Sequence, residues 1–230
     1  MRPGAFDASA LLFDFGGTLD ANGVAWKERF FRLWNRHLGE VPRERFDTAF
    51  YASDDALTGA IPPTLSLRET VGRLGRGVAR NLNQEGRPEV ERVAEEFCDG
   101  ALTRLCANSP LLARLAERYR LGVVSNFYGN LTTVCEEVGI GRHLTVMIDS
   151  AFVGYTKPDP RIFRAALARL EASPSETVFV GDSLERDMAG ARNVGMRHIL
   201  LADEASPSKS ACCPGDRVVH HFDELRELLL

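Results

Sequence analysis

The sequence predicts an α/β protein with a Rossmann-like parallel sheet, helices on both faces of that sheet, and an inserted all-helical segment. Three observations lead to this fold class. A short apolar run, Ala10–Phe15, is followed by Gly16-Gly17, as expected of a buried strand and its turn. A long stretch, 21–107, then has helical periodicity. Beyond it, strand and helix patterns alternate, which predicts parallel strands joined by helical crossovers.

The inserted stretch begins with apolar residues at helical spacing over 24–38. Within this first helix, Trp26, Phe30 and Trp34 are predicted to be core residues. Three more helices are expected, over roughly 42–52, 65–82 and 88–106.

Ser109-Pro110 has the pattern of a helix start, an N-cap residue followed by proline at the first helical position. We therefore predict a core domain made of residues 1–20 and 108–230, interrupted by a helical cap domain, 21–107. The later core strands are expected at 121–125, 146–148, 178–180, 199–201 and 218–222, and the later helices at 131–138, 160–170 and 187–194, before a short closing helix.

Composition excludes some classes of function. The 230 residues carry a net charge of −4, so a basic nucleic-acid-binding surface is not expected. The first apolar run is too short for a signal sequence or a membrane span. The five cysteines include no C-x-x-C pair, and vicinal Cys212 and Cys213 lie in a polar segment, 205–215, that we interpret as a loop. We expect a cytoplasmic monomer or homodimer with no membrane partner.

Four polar clusters lie at or near predicted strand ends. In parallel sheets of this kind, the active site lies at the carboxyl ends of the strands. The clusters are Asp14–Thr18, Ser125-Asn126, Lys157 and Gly181–Asp187.

Together these clusters have the chemistry of a phosphate-cleaving site. An aspartate such as Asp14 can be a covalent nucleophile that divides one difficult displacement into two easier steps. Paired aspartates suit Mg²⁺, and a lysine offsets the charge of phosphoryl oxygens. A serine hydroxyl and nearby backbone N–H groups can bind a further oxygen, and Gly16-Gly17 allows a tight turn close to a ligand.

The same four clusters, in this order, resemble the motifs of the haloacid dehalogenase superfamily. Asp-Phe-Gly-Gly-Thr-Leu is similar to the first motif, Val-Val-Ser-Asn to the second, and Lys157 with Pro158-Asp159-Pro160 to the third. Gly-Asp-Ser-x3-Asp, followed by Ala-Gly-Ala, is similar to the fourth. The resemblance covers the whole predicted core and implies a helical cap inserted after the first motif.

The resemblance also implies roles for these residues in hydrolysing a small phosphorylated metabolite through an aspartyl-phosphate. Asp14 would be the nucleophile, and Lys157 would act beside it. The implied Mg²⁺ ligands are Asp14, the Gly16 carbonyl, Asp182 and Asp187, and the implied substrate-binding residues are Gly17, Ser125, Asn126 and Lys157.

One position departs from the pattern of the phosphatases in this superfamily. They carry a second aspartate, a general acid and base, two residues after the nucleophile, where this chain has Gly16. Glycine has no proton to give, and losing such a group costs about 10²–10⁴ in rate. Asp20, Asp54 and Asp55 are substitute donors by sequence, but we expect them to be solvated loop acids.

Three alternatives therefore stay open. Phosphonate-cleaving relatives have a small residue at this position and use a cap lysine, but Lys27, the only lysine of the insertion, is expected too early in the chain. Dehalogenase relatives need no Mg²⁺, and the acids of the fourth cluster argue against them. A catalytically weak protein that binds phosphorylated ligands or a partner is the third. His198, His220 and His221 are expected to be structural.

Overall fold

The computed structural model describes residues 7–204 and 217–230, which form one parallel sheet and its surrounding helices. The six described strands lie in the spatial order β3-β2-β1-β4-β5-β6, and all neighbouring pairs are parallel. The strands are β1 (Ala10–Phe13), β2 (Arg120–Ser125), β3 (Val146–Asp149), β4 (Thr177–Gly181), β5 (Arg197–Leu201) and β6 (Arg217–Val219). The predicted fold class is confirmed.

Four helices follow β1 and precede β2, and shorter helices alternate with the later strands. They are α1 (Trp26–Leu38), α2 (Arg43–Leu57), α3 (Leu67–Asn81), α4 (Glu89–Ala116), α5 (Leu131–Glu137), α6 (Ser150–Val153), α7 (Pro160–Leu170), α8 (Ala189–Asn193) and α9 (Leu225–Leu229). Helix α7 begins as expected, because the Asp159 carboxylate accepts a hydrogen bond from the Arg161 N–H at 2.9 Å.

Alternation along β1 divides the apolar interior into two cores. Leu11 and Phe13 face the larger core, which includes the inserted helices, the C-terminal half of α4, α5 and α9. Ala10 and Leu12 face the smaller core, packed against α7 and α8. Both faces of the sheet are therefore covered, which explains why the central strand β1 is wholly apolar.

Helix α4 corrects one prediction, because no new helix starts at Ser109-Pro110. The helix continues through Pro110 for two further turns. An internal proline costs roughly 3 kcal/mol of helix stability, but Leu111, Leu112 and Leu115 beyond it are buried in the larger core. Tertiary packing outweighs the local signal. The predicted domain boundary at 107/108 falls inside this helix, and the division into two domains stays a prediction.

The last strand is shorter than predicted. We expected a strand over 218–222, but β6 ends at Val219. The N–H groups of His220 and His221 instead donate to Glu224 Oε1, at 3.1 and 2.7 Å. These two histidines therefore lie in a turn before α9, where a side-chain acceptor replaces a neighbouring strand.

None of the helices within 7–204 and 217–230 combines the length and apolarity needed to cross a membrane. Three described cysteines, Cys98, Cys106 and Cys135, are free thiols. Cys212 and Cys213, with the segment 205–215 that we interpreted as a loop, lie outside the described residues.

A glycine in α8 tests the close packing of the smaller core. A Cβ at Gly190 would lie 2.3 Å from Phe163 Cε2 and 3.3 Å from Pro158 Cα. Gly190→Ala should therefore lower the free energy of unfolding by about 1–3 kcal/mol through overpacking, although alanine is ordinarily the better helix former. Urea denaturation measures this change.

Gly100→Ala is the matched control. Gly100 is exposed on α4, and its Cβ would meet only Arg29 Nη2, at 3.9 Å. This variant should gain about 0.5–1 kcal/mol. Equal stability changes in the two variants would contradict the packing described for α7 and α8.

Candidate active site

Parallel register brings three of the four predicted clusters to one edge of the sheet. Strand β1 lies between β2 and β4, with Phe13 paired to both Val123 and Val180. Asp14 follows β1, Ser125 ends β2, and Asp182 follows β4, so their side chains share the carboxyl edge. The fourth cluster, Lys157, reaches the same place from the loop between α6 and α7.

Lys157 is the centre of this arrangement. Its Nζ lies 2.5 Å from Asp14 Oδ1 and 2.7 Å from Asp187 Oδ1, and all three side chains are buried. Burial alone would lower the pKa of Lys157, but the two carboxylates raise it, and the net shift is upward. The ammonium therefore stays protonated and can hold negative charge.

The pKa of the Asp14 carboxyl is also raised, which for an acid favours the neutral form. Burial raises its pKa, Lys157 lowers it, and Asp187 raises it again, which together bring the pKa to about 6. Ser125 Oγ and Lys157 Nζ both donate to Oδ1, at 3.2 and 2.5 Å. Oδ2 accepts no hydrogen bond from the residues that the structure describes, so it is available to a ligand.

Three carboxylates form a group that fits a divalent cation. One oxygen each of Asp14, Asp182 and Asp187 lie within 4.8 Å of one another, and all three residues are buried. Lys157 contacts two of these carboxylates, and Arg186, which also lines the cavity, interacts electrostatically with all three. Carboxylate oxygens are the ligands that Mg²⁺ prefers.

Two glycines allow these carboxylates to approach the backbone. A Cβ at Gly17, where φ is +99°, would lie 2.7 Å from Asp182 Oδ2. A Cβ at Gly181 would lie 2.5 Å from Asp187 Oδ2. Asp187 Oδ2 accepts a hydrogen bond from the Ser183 N–H at 3.0 Å, which leaves Oδ1 directed to Lys157.

Asn126 positions Lys157 through its backbone. Asn126 Oδ1 accepts from the Lys157 N–H at 2.7 Å, and Asn126 Nδ2 donates to the Lys157 carbonyl at 3.2 Å. Its side chain is therefore occupied by the neighbouring loop. A substrate-binding role for the Asn126 backbone stays a prediction.

Asp20 is buried rather than solvated, which corrects its prediction as a loop acid. Its carboxylate accepts from the Gly17 N–H, from Trp26 Nε1 and from Arg29 Nη1, each at 2.7 Å. It thus ties the turn after β1 to α1. The Gly17 N–H already has this partner, and Gly17 is not among the described residues that line the cavity, so its substrate-binding role also stays a prediction.

A cavity of about 110 Å³ separates the carboxyl edge of the sheet from the inserted helices. Its floor includes Asp14, Ser125 and Lys157, and its other wall comes from α1 and α2. This volume is below the roughly 300–1,000 Å³ of most ligand pockets, so it suits a small ligand. Trp26 lines the cavity and packs edge-on against Phe97, with ring centroids 5.0 Å apart.

Lys27 is in the cavity wall, although we expected it to lie too early in the chain. Its Nζ is 2.9 Å from Asp47 Oδ2 and 4.7 Å from the centre of the Tyr51 ring. Burial lowers the pKa of Lys27, but hydrogen bonds to Asp47 and Tyr51 raise it, with a net upward shift.

Asp54 and Asp55 lie on a helix, which corrects their prediction as loop acids. Helix α2 extends five residues beyond the expected end at 52. Asp55 is exposed, whereas Asp54 lines the cavity and accepts a hydrogen bond from Tyr128 Oη at 2.5 Å. The sequence held a signal for this, because Phe46, Phe50 and Asp54 recur every four residues and so share one helix face.

The histidines lie outside the acidic group that could hold a metal. His198 is buried in β5, and His220 Nδ1 is 3.0 Å from the Ala202 carbonyl. Both placements agree with the structural roles that we predicted.

Comparison with known protein families identifies the family of this chain. Residues 8–195 match the profile of haloacid dehalogenase-like hydrolases, which covers most of the chain. The chain belongs to the haloacid dehalogenase-like hydrolase family. The predicted resemblance is confirmed, and the placement of hydrolysis at the acidic edge of the sheet stays a prediction.

Individual relatives of this hydrolase match over shorter stretches. A haloacid dehalogenase-like hydrolase domain-containing protein 3 of Bos taurus is 43% identical over 83 residues, which is 36% of this chain and 33% of the relative. A phosphoserine phosphatase of Thermus thermophilus is 36% identical over 92 residues, 40% of this chain and 35% of the relative. The matched stretch therefore spans about a third of each of these relatives.

The fold of this hydrolase is also similar along its whole length to solved structures. The crystal structure of a haloacid dehalogenase phosphatase from Thermococcus onnurineus aligns over 96% of this chain and 97% of its own, with a TM-score of 0.61 and 22% identity. At this identity the likeness shows the fold alone.

The Asp20 network gives a testable prediction for the hydrolase. Asp20→Asn would leave Arg29 facing a neutral amide in a buried place, and breaking such a pair costs about 3–5 kcal/mol. Chemical denaturation should show a loss of this order.

Asp223→Asn serves as the control. Its partner Arg226 forms an exposed ion pair at 2.8 Å, so the change should cost less than about 1 kcal/mol. A similar small loss for Asp20→Asn would mean that Asp20 does not anchor the turn after β1.

Proposed function

We propose that this hydrolase is a Mg²⁺-dependent phosphatase of a small phosphorylated metabolite, acting through an aspartyl-phosphate on Asp14. The observation that carries the proposal is the buried group of Asp14, Asp182 and Asp187 around Lys157. It combines an available nucleophile with cation ligands and a fixed positive charge. These are the requirements of phosphoryl transfer by covalent catalysis.

The reaction has two steps at Asp14. First, a carboxylate oxygen of Asp14 forms a bond to phosphorus as the bond from phosphorus to the ester oxygen breaks, and the leaving alkoxide takes up a proton. Water then attacks phosphorus, gives up a proton, and releases Asp14 and inorganic phosphate. Lys157 stabilises negative charge on the phosphoryl group. The Ser125 hydroxyl, whose Oγ is 3.2 Å from Asp14 Oδ1, donates a hydrogen bond to Asp14 or to a phosphoryl oxygen as charge moves between them.

Asp14, Asp182 and Asp187 would hold the Mg²⁺ ion together with the Gly16 carbonyl. When bound, the ion supplies positive charge that lets two anions approach and stabilises the phosphoryl oxygens. The fit is supported by the burial of the three carboxylates and by their closeness to one another.

Lys27 argues against the phosphonate-cleaving alternative. A Schiff base needs a neutral amine, but the ion pair with Asp47 keeps Lys27 protonated. Metal-independent dehalogenation would not require Asp182 and Asp187 to cluster with Asp14. The named phosphatase among the relatives supports phosphate monoesters as the substrate class. The cytoplasmic location and the oligomeric state stay predictions.

Asp14→Asn should reduce the release of phosphate from p-nitrophenyl phosphate by about 10³-fold or more, because an amide is a poor nucleophile. Mass spectrometry of the acid-quenched wild-type enzyme should find phosphate on Asp14. Asp99→Asn, on the exposed face of α4, is the control and should keep the wild-type rate. A variant at position 14 that retained more than about a tenth of the rate would exclude the covalent mechanism.

Magnesium binding should depend on the carboxylates of Asp14, Asp182 and Asp187. At a Mg²⁺ concentration about 100 times Kd, the wild-type protein should gain about 2.7 kcal/mol of stability. Asp182→Asn should lose most of this gain, whereas Asp99→Asn should keep it, as measured by thermal unfolding with and without Mg²⁺. Phosphatase activity that survived exhaustive chelation would contradict the metal site and return dehalogenation to consideration.

A further inference from the structure

Trp26 occupies the space in which a side chain at position 16 would have to lie. A Cβ at Gly16 would be 3.0 Å from Trp26 Nε1 and 3.1 Å from Trp26 Cδ1. The indole cannot easily move, because its N–H donates to Asp20 Oδ2 at 2.7 Å and its ring packs on Phe97. A side chain at position 16 would therefore have to displace the indole by a few tenths of an ångström. Glycine itself has no proton to give, so a proton must come from elsewhere.

Asp54 is the carboxylate that the inserted helices bring to the cavity. It lies on α2, one helical turn after Phe50, and shares the cavity with Asp14. Tyr128 also lines the cavity and donates from its hydroxyl to Asp54 Oδ1 at 2.5 Å. Within the described residues, the other oxygen of Asp54 accepts no hydrogen bond, so it can serve a ligand.

We propose that Asp54 is the general acid and base of this enzyme and that Tyr128 positions it. The inference rests on the proposed phosphatase function. In the first step, Asp54 gives its proton to the ester oxygen as that oxygen leaves phosphorus. In the second step, the Asp54 carboxylate takes a proton from the attacking water while the bond between phosphorus and Asp14 breaks. The proton lent in the first step is thus recovered in the second.

The surroundings of Asp54 suit this exchange. Burial raises its pKa, the Tyr128 hydrogen bond lowers it, nearby Asp55 raises it, and Arg186 lowers it, with a net upward shift. A carboxyl of raised pKa holds its proton closer to neutral pH, where a general acid is most effective. Lys27 also lines the cavity, but its charge is paired with Asp47.

Tyr128 is held in place by burial and by aromatic packing. It is buried, and its ring lies 5.0 Å from Phe127 and 6.3 Å from Trp26. Burial, the charge of Asp54 and the shared hydrogen bond raise the pKa of Tyr128 well above its usual value, so the hydroxyl stays protonated. It can therefore donate to Asp54 throughout the reaction.

The test compares Asp54→Asn with Asp55→Asn, which makes the same charge change at the exposed neighbour on α2. For glycerol 1-phosphate, whose alkoxide needs a proton, Asp54→Asn should lose about 10²–10⁴ in kcat/KM. The leaving group of p-nitrophenyl phosphate, p-nitrophenolate, needs no proton. In Asp54→Asn, the rate of its release in the first turnover should therefore stay within about tenfold of wild type, and the steady-state rate that follows should be slow. Asp55→Asn removes only one of the smaller contributions to the raised pKa of Asp54, so it should stay within about tenfold of wild type on both substrates.

Tyr128→Phe separates positioning from simple packing. Removing a hydrogen bond that lowers the pKa of Asp54 should raise that pKa further. Because a general acid is lost as pH rises through its pKa, the alkaline limb of the kcat/KM profile for glycerol 1-phosphate should move to higher pH. Asp54→Asn should abolish this limb. A role in packing alone would lower the rate without moving the limb.

Folding and the proposed function are checked separately. Each variant should keep the wild-type stabilisation by Mg²⁺, which reports an intact metal site. Wild-type turnover with equal rates for Asp54→Asn and Asp55→Asn on glycerol 1-phosphate would overturn the role of Asp54 and leave the phosphatase proposal standing. If the wild-type enzyme hydrolysed p-nitrophenyl phosphate but no glycerol 1-phosphate, the role of Asp54 would also be overturned. Wild type inactive on both phosphates would overturn both proposals.

Discussion

The burial of three carboxylates beside a single lysine is the constraint on which the rest of this structure depends. Removing charges from water is costly, and their mutual repulsion adds to the cost unless positive charge compensates them. Lys157 contacts Asp14 and Asp187, and the charge of Arg186 acts on all three carboxylates. Burial, and to a smaller extent the charge of Asp187, still raise the pKa of Asp14 to about 6 against the lowering effect of Lys157.

The fold supports this cluster with devices that have little value elsewhere. Parallel pairing places β1 between β2 and β4, so their carboxyl ends deliver the acids and Ser125 together. Gly17 and Gly181 have no Cβ at the two places where carboxylates come close to the backbone. A Cβ there would lie 2.7 Å from Asp182 Oδ2 and 2.5 Å from Asp187 Oδ2. Asn126 fixes the loop that carries Lys157 with two hydrogen bonds. Glycine loses more conformational freedom on folding than other residues, so the close approach of the carboxylates at Gly17 and Gly181 carries an entropic cost.

Most of the sheet and its acidic edge could be predicted from sequence because they depend on local patterns. Apolar runs that end in Asp14, Ser125 and Asp182 indicate both the strands and the positions where those side chains emerge. Lys157 lies farther from a strand, in the loop between α6 and α7, so its contact with Asp187, thirty residues later, does not follow from a strand pattern.

The errors arose where tertiary packing overrides a local signal. Pro110 is a strong helix breaker in isolation, but the buried leucines after it keep α4 continuous. The Ser-Asp-Asp sequence after residue 52 is typical of a loop. It stays helical in this protein, where Ser53 is buried and bonds the Ala49 carbonyl at 2.7 Å. Such effects depend on neighbours that are distant in sequence, so a window of residues cannot report them.

Helix α2 also shows why the inserted segment matters for chemistry as well as for packing. The proposed nucleophile, Asp14, follows a strand of the sheet, whereas the proposed proton carrier, Asp54, lies on α2. Tyr128, from the loop after β2, connects the two layers through its hydrogen bond to Asp54. Asp14 and Asp54 line the same cavity of about 110 Å³, one from the sheet and the other from the inserted helices. A proton carrier on α2 therefore makes proton transfer depend on how the inserted helices pack over the sheet, whereas an acid at position 16 would depend on the core alone.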